Sequence, residues 1–429
     1  MNFSMGKIRA KNRPYRFLLL GLASTVALAA CGSSSSSSAS ATSSANSASQ
    51  TNGPASGTPY VIHAVLSETG VASELGTPEA QTLKALAAYE NTQGGINGHP
   101  VQFDIQDNQS TPSLAVSLST SLLAHHVNVL LDGSYGATDI PVDGLAGSNG
   151  PFISDLAPTV RPKAGSMVFR TGTPMQEDFQ VILNYLKAKG LTRIAAITST
   201  DSDGTLGWTD LQSTLAQPQY SSFKVTAHQV FDPTAVSVAT QLSVLKVSNP
   251  QAILVWTVGS PFGTVLQGLS SLGMGNIPIF TSNGNADYGL LGHLSSVVPK
   301  SLYFIGEELY MPPSEIKNAA VRAQVQAFDT VIQAAGGKPE AGYGLAWSAG
   351  SLVIGAIKKL GIQATAPQIL QYMQSLNNSA GIYGLLNFSK DNHDGISTQF
   401  MHIFHFTGTS FQPVSHGGGA PLTSASSPS

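Results

Sequence analysis

The sequence predicts an α/β protein built as two doubly wound, parallel-sheet lobes, and three observations carry that expectation. Short β-like runs alternate with helix-like ones through most of the 429 residues. The alternation restarts after Met167–Pro174, giving two series of similar length and rhythm, although no residue-level repeat is visible. Between the Ser/Gly-rich ends lie about 355 residues, too many for one small core and comfortable for two.

The elements justify this in order. "YVIHAVLS" (Tyr60–Ser67) reads as a strand and precedes a helix near Thr77–Glu90, where Ala80, Leu83, Ala87 and Glu90 share one side. Next come "PVQFDIQDN" (Pro100–Asn108), a helix near Pro112–His125, "VNVLLDG" (Val127–Gly133) and "PFISDLA" (Pro151–Ala157). The second series has strands at Arg193–Thr200, Phe223–Phe231, Ala252–Gly259, Pro278–Asn283 and Ser301–Glu308, with helices between the first four. Strands alternating with helices of this length predict parallel sheets covered on both faces. From Ser314 to Leu376 helical spacing dominates, with Val321, Val325, Phe328 and Ile332 on one stripe and Leu345, Leu352, Val353, Ala356 and Leu360 on another. "GLLNFSKDNHDGISTQFMHIFHF" (Gly384–Phe406) reads as a closing strand pair turning on Asn392–Gly395.

The amino end reads as a leader rather than part of the fold. Lys7, Arg9, Lys11, Arg13 and Arg16 precede "FLLLGLASTVALAA" (Phe17–Ala30), which is too short to span a bilayer convincingly. It stops at "LAAC" (Leu28–Cys31), which resembles the lipobox of bacterial lipoproteins, and Cys31 is the single cysteine. Lipid on Cys31 is therefore expected, with signal peptide 1–30 removed and no thiol left for a disulfide, redox or metal role. Residues 31–57 and 415–429 are Ser/Gly-rich without apolar period and read as a flexible tether and a disordered tail. The chain has 21 basic and 24 acidic residues, and losing the five basic leader residues leaves 16 against 24, net −8. No basic stripe for nucleic acid remains, and no second apolar segment is long enough to span a membrane. The mature protein is expected outside the cytoplasm, anchored on the outer face of the cytoplasmic membrane.

"ENTQGGINGHPVQF" (Glu90–Phe103) raises the question of a phosphate loop. Such a loop needs a strand feeding a glycine turn that opens a helix, so that the helix amino end faces the anion. Here the order is reversed. The glycines close a helix, Asn97–Gly98 turns the chain, and a strand follows, so the stretch is structural. No nucleophile elbow occurs either, since "WSAGS" and "DGSYG" lack the flanking glycine. His402 and His405 stand three apart on a strand and face opposite sides, which is wrong for a shared metal. His125–His126 read as solvated, and Glu307–Glu308 as surface or hinge residues. With no catalytic constellation, no metal set and no cofactor motif, an enzyme is not expected.

The same stretch begins a resemblance. "AAYENTQGGINGHPV", "DIQDNQSTPSLAV", "DGSYGATD" and "PFISDLAPT" followed by "FRTGTP" resemble the leucine/isoleucine/valine-binding proteins of ABC transporters, in the type I periplasmic-binding-protein fold. The likeness extends over roughly Thr58–Val414. It implies two lobes joined by three crossovers, near Phe169–Thr173, Glu307–Tyr310 and Tyr383–Phe388. The first lobe would be residues 58–172 and 309–384, the second 173–308 and 385–414. It also implies a monomer that traps a small polar solute, a branched-chain or other amino acid among the candidates, and delivers it to ABC permease subunits. A sensor of the same fold, reporting to a membrane receptor, is the other function such a pair of lobes allows.

Ligands of open parallel sheets bind beyond the strands' carboxyl ends. From the first lobe this selects Ser67, Thr69, Ser134, Tyr135, Thr138, the backbone of Ala157, and Thr159, whose counterparts in amino-acid-binding relatives hold a carboxylate. Each Ser or Thr could equally cap a helix. From the second lobe it selects Asp201, Trp256, Phe262 and Asn283, the two aromatics being as suited to core packing as to a pocket wall. Asn283 stands where relatives carry an acid for the ligand's ammonium, and Leu206 where many carry a tyrosine. Either Asp201 or Asp203 compensates, or the ligand has no ammonium group; the sequence leaves both open.

Overall fold

The computed structural model describes residues 54–148, 150–172 and 175–422. Cys31, the leader and most of the tether lie outside them. Eight elements open the chain: β1 (Tyr60–Leu66), α1 (Ser73–Thr92), β2 (Val101–Asp107), α2 (Pro112–Leu123), β3 (Val129–Asp132), α3 (Gly136–Asp143), β4 (Phe152–Asp155) and β5 (Val168–Arg170). The second series comprises α4 (Met175–Ala188), β6 (Arg193–Ser199), α5 (Ser202–Leu215), β7 (Lys224–Phe231), α6 (Ala239–Val247) and β8 (Ala252–Trp256). It continues through α7 (Ser260–Ser271), β9 (Ile279–Thr281), α8 (Tyr288–His293) and β10 (Leu302–Glu307). Then follow α9 (Ala319–Ala334), α10 (Ala341–Leu360), α11 (Ala366–Gln374), β11 (Ser379–Gly381), β12 (Gly384–Leu386), β13 (Met401–Phe406) and β14 (Phe411–Pro413).

Two main sheets result, as the alternation predicts. The first runs β2-β1-β3-β4-β5, all parallel. The second runs β14-β13-β10-β9-β8-β6-β7, parallel except for its β13 and β14 edge. Strand alternation divides side chains between two faces. Ala252, Leu254 and Trp256 of β8 pack with Phe179 and Ile182 of α4, whereas Ile253 and Val255 join Val265 and Leu266 of α7 on the other side. In the first sheet Ile62, Ala64 and Leu66 join Leu83 and Leu86 of α1 and Val353 of α10, and Val65, Leu130 and Ile153 meet Ala115 and Val142 of α2 and α3.

The chain passes between the sheets after β5, after β10 and again before β13, because α10 and α11 return to pack on the first sheet. The turn after α1 takes the positive φ that its glycines permit, +92° at Gly94 and +61° at Gly95. A Cβ on Gly95 would stand 2.1 Å from the His99 carbonyl oxygen. Among the described residues no helix is long and apolar enough to cross a membrane.

Two expectations differ from the structure. Gly384–Phe406 is not one hairpin. β12 pairs with β11, and β13 joins β10 and β14. The intervening loop is held by long-range packing instead, with His393 stacked on Phe169 at 3.9 Å and its Nδ1 2.9 Å from the Val168 carbonyl oxygen. The chain from Ser415 is also ordered as far as Leu422. The Ser415 hydroxyl accepts from the Ile403 amide at 2.7 Å, and Asn184 of α4 donates to the Gly418 carbonyl at 3.0 Å. Small residues that look like tail composition here fit closely against a sheet edge and a helix.

Candidate functional site

Loops at the carboxyl ends of both sheets face one another across a cleft of about 410 Å³, little of it wide enough for a water molecule. Leu75 of α1, Ser134 and Tyr135 after β3, Pro158 and Thr159 after β4, and Leu345 of α10 form one wall. Met175 and Asp178 of α4, Asp203 of α5, Trp256 and Val258 at the end of β8, and Ser282 and Gly284 after β9 form the other. The walls also touch outside the cleft. Arg161 meets Asp210 of α5 at 2.5 Å, and the Tyr288 amide donates to Glu340 at 2.6 Å.

Of the residues selected from sequence, Ser134, Tyr135, Thr159 and Trp256 line this cleft. The others have different surroundings. The Ser67 hydroxyl is buried and donates to Asn108 at 2.7 Å, while its amide donates to Ser134 at 3.1 Å. Thr69 is exposed and donates to Asp107 at 2.7 Å. Thr138 Oγ1 lies 2.9 Å from the Tyr135 carbonyl and 2.7 Å from Asp139. The Ala157 amide donates to Asp155 at 2.7 Å. Asp201 caps α5, accepting from the Gly204 amide at 3.1 Å and the Ser199 hydroxyl at 2.6 Å. Phe262 is fully buried in the core against Phe304. Asn283 is buried between two cleft residues and donates to Glu307 at 2.8 Å. Glu307, read as surface or hinge, is therefore buried.

Trp256 serves wall and core together. Its ring lies 4.2 Å from that of Phe179, and a Cβ on Gly207 would stand 2.1 Å from its Cδ1, so α5 approaches the indole only because that position is glycine.

Carboxyl groups dominate the polar chemistry. Ser134 donates to Glu79, and burial pushes that acid up to about 8 against the pull of this hydrogen bond. Burial, aided by Asp201, raises Asp203 to about 8, while the Thr159 hydroxyl and the Gly136 amide oppose the shift. Asp178 is raised by burial and by the nearby Glu307 and Glu177. Among the described residues neither Asp178 oxygen has a hydrogen-bond partner, nor does Oδ2 of Asp203. Behind the first wall Asp132, Asp139 and Asp155 bring one carboxylate oxygen each within 4.8 Å of one another, all fully buried. Such a group is stable only with shared protons or with a cation, for which it has the donor set.

Asp178 was not foreseen. In "MQEDFQ" it reads as an ordinary first-turn helix acid, and only packing turns it into the cleft. Leu75, Pro158, Met175, Val258 and Leu345 carry no sequence signal distinguishing them from core residues. Asp203 was separable from Asp201 only by knowing which carboxylate caps α5.

No curated protein matches the chain in sequence. Solved structures do match its fold. An extracellular ligand-binding receptor from Rhodopseudomonas palustris HaA2 has a TM-score of 0.74 at 19% identity, over 83% of this chain and 100% of that one. The branched-chain amino acid transporter substrate binding protein LivJ from Streptococcus pneumoniae, in complex with isoleucine, has 0.70 at 17%, over 82% and 97%. An R. palustris ABC-transporter solute binding protein in complex with benzoate has 0.72 at 17%, over 86% and 98%. With residues 59–408 matching the family as a whole, the chain belongs to the periplasmic binding proteins.

Proposed function

We propose that this protein is an exported lipoprotein that captures a small polar solute between two lobes and delivers it to an ABC importer. The observation that carries this reading is the cleft itself, walled from both sheets at their strand carboxyl ends in a member of a solute-binding family. Residues 58–172 with 309–384 would form one lobe and 173–308 with 385–414 the other. Ser134, Tyr135, Thr159 and Trp256 would contact the solute. The isoleucine and benzoate complexes of structural neighbours make amino acids and related amides or carboxylates the first compounds to test. Hinge closure would be the working motion, and lipid on Cys31 would keep the protein beside its permease.

Ligand binding to the folded form alone raises the melting temperature, by about 2.7 kcal/mol of stabilisation at a hundredfold excess over Kd. A metabolite screen by thermal shift, paired with tryptophan fluorescence, tests the reading; silence from both across amino acids, amides, amines and aromatic acids would reject it. Cys31→Ser should release the protein from membranes with its fold intact, and unchanged retention would reject the anchor.

A further inference from the structure

We infer that the cleft selects an organic cation, an amine with a largely apolar body and no carboxylate of its own. The inference rests on the reading of the cleft as the solute site and narrows what that site accepts.

Charge is the first argument. Asp178 and Asp203 both line the cleft while being only 1% and 4% exposed. Three of their four oxygens have no hydrogen-bond partner among the described residues, an arrangement buried polar groups rarely keep without a ligand. Among the described residues no lysine or arginine lines the cleft. The nearby guanidinium groups are committed elsewhere. Arg170 donates to the Pro158 and Val160 carbonyls at 2.6 and 2.5 Å and pairs with Asp394 at 2.7 Å, and Arg161 pairs with Asp210.

The second argument is what became of the carboxylate seat. Two of the donors that would hold a ligand carboxylate, Ser134 and the Ala157 amide, are already bound to the protein's own acids. Ser134 donates to Glu79, the Ala157 amide to Asp155, and Thr159 faces Asp203. An entering anion would find no lysine or arginine in the cleft to pair with, and whatever charge Asp178 and Asp203 carry would repel it with little screening in a water-poor site. An ammonium group would instead supply the donors Asp178 and Asp203 lack, and its positive charge would favour their ionised form against the burial that raises them. Trp256 and Tyr135 add ring faces suited to a cation, and Leu75, Met175, Val258 and Leu345 suit an apolar body.

The experiment is a thermal-shift and calorimetric comparison on the purified full-length protein at pH 7.5. The probes are phenethylamine, choline, agmatine and spermidine as amines, isoleucine as zwitterion, and benzoate as anion. At least one amine should bind, isoleucine and benzoate should not, and Asp178→Asn and Asp203→Asn should each weaken the amine about tenfold or more. Each variant is checked for native circular dichroism, and either one alone suffices if the other does not fold. Binding of isoleucine or benzoate without any amine would overturn the charge selection and leave the solute-binding reading standing. Amine binding that both Asn variants retain undiminished would also overturn it. No binding by any probe would count against both.

Discussion

The two walls of the cleft solve opposite problems. On the first, hydroxyl and amide donors are turned inward to the protein's own carboxylates, as Ser134 is to Glu79 and Ala157 to Asp155. On the second, among the described residues, Asp178 has no donor on either oxygen and Asp203 none on Oδ2, and Trp256 lines the cleft beside them. The first wall has spent two of its donors on its own acids, and the second keeps acids that lack donors. A site's chemistry is therefore set less by which polar residues it contains than by which of them remain unpaired after folding.

The largest expected effect tests what the walls share, a buried acid raised to about 8 on each, Glu79 and Asp203. Unfolded, these groups titrate near 4, so between about pH 4 and 8 the folded state holds more protons. Their stabilising contribution is complete below the unfolded values and is lost as pH rises through 8, by at most about 1.4 kcal/mol per pH unit for each group. Urea midpoints should fall from pH 5 to pH 9, and a rise would contradict the burial argument. Next, Trp256→Ala should cost about 3–5 kcal/mol, since the buried indole is packed on Phe179 as well as lining the cleft. A loss under 1 kcal/mol in equilibrium unfolding would make it a wall residue alone. On the first wall, Ser134→Ala removes the donor to buried Glu79 and should cost about 1–3 kcal/mol by the same measurement. Smallest is Arg161→Ala. The pair with Asp210 joins the walls, but Arg161 is about half exposed, so a stability change of about 0–1 kcal/mol is expected. Small-angle scattering should show a more open average shape in this variant if the pair helps hold the cleft shut.

Much of the fold is legible in the sequence. The alternation of strand and helix patterns predicts both parallel sheets, and the Gly94–Gly98 turn is where helix-ending glycines place it. The closing hairpin was misread because Asn392–Gly395 is a good turn sequence. What decides its neighbourhood is His393 on Phe169, more than two hundred residues away in the chain. In the cleft, position at or just after a strand's carboxyl end picked out Ser134, Tyr135, Thr159 and Trp256, which line its walls. It could not separate them from Asp201 and Phe262, which also follow strand ends but cap α5 and fill the core from the first turn of α7.

By itself the sequence determined the class of architecture, because the periods of strand and helix are local properties of the backbone written in the spacing of apolar side chains. It also determined which residues could reach the strand ends. Only the tertiary structure decided which donors are consumed by neighbouring acids and which carboxylates stay unpaired, as at Ser134 and Asp178. Hydrogen-bond satisfaction and burial depend on groups far apart in the chain, and no local pattern encodes them.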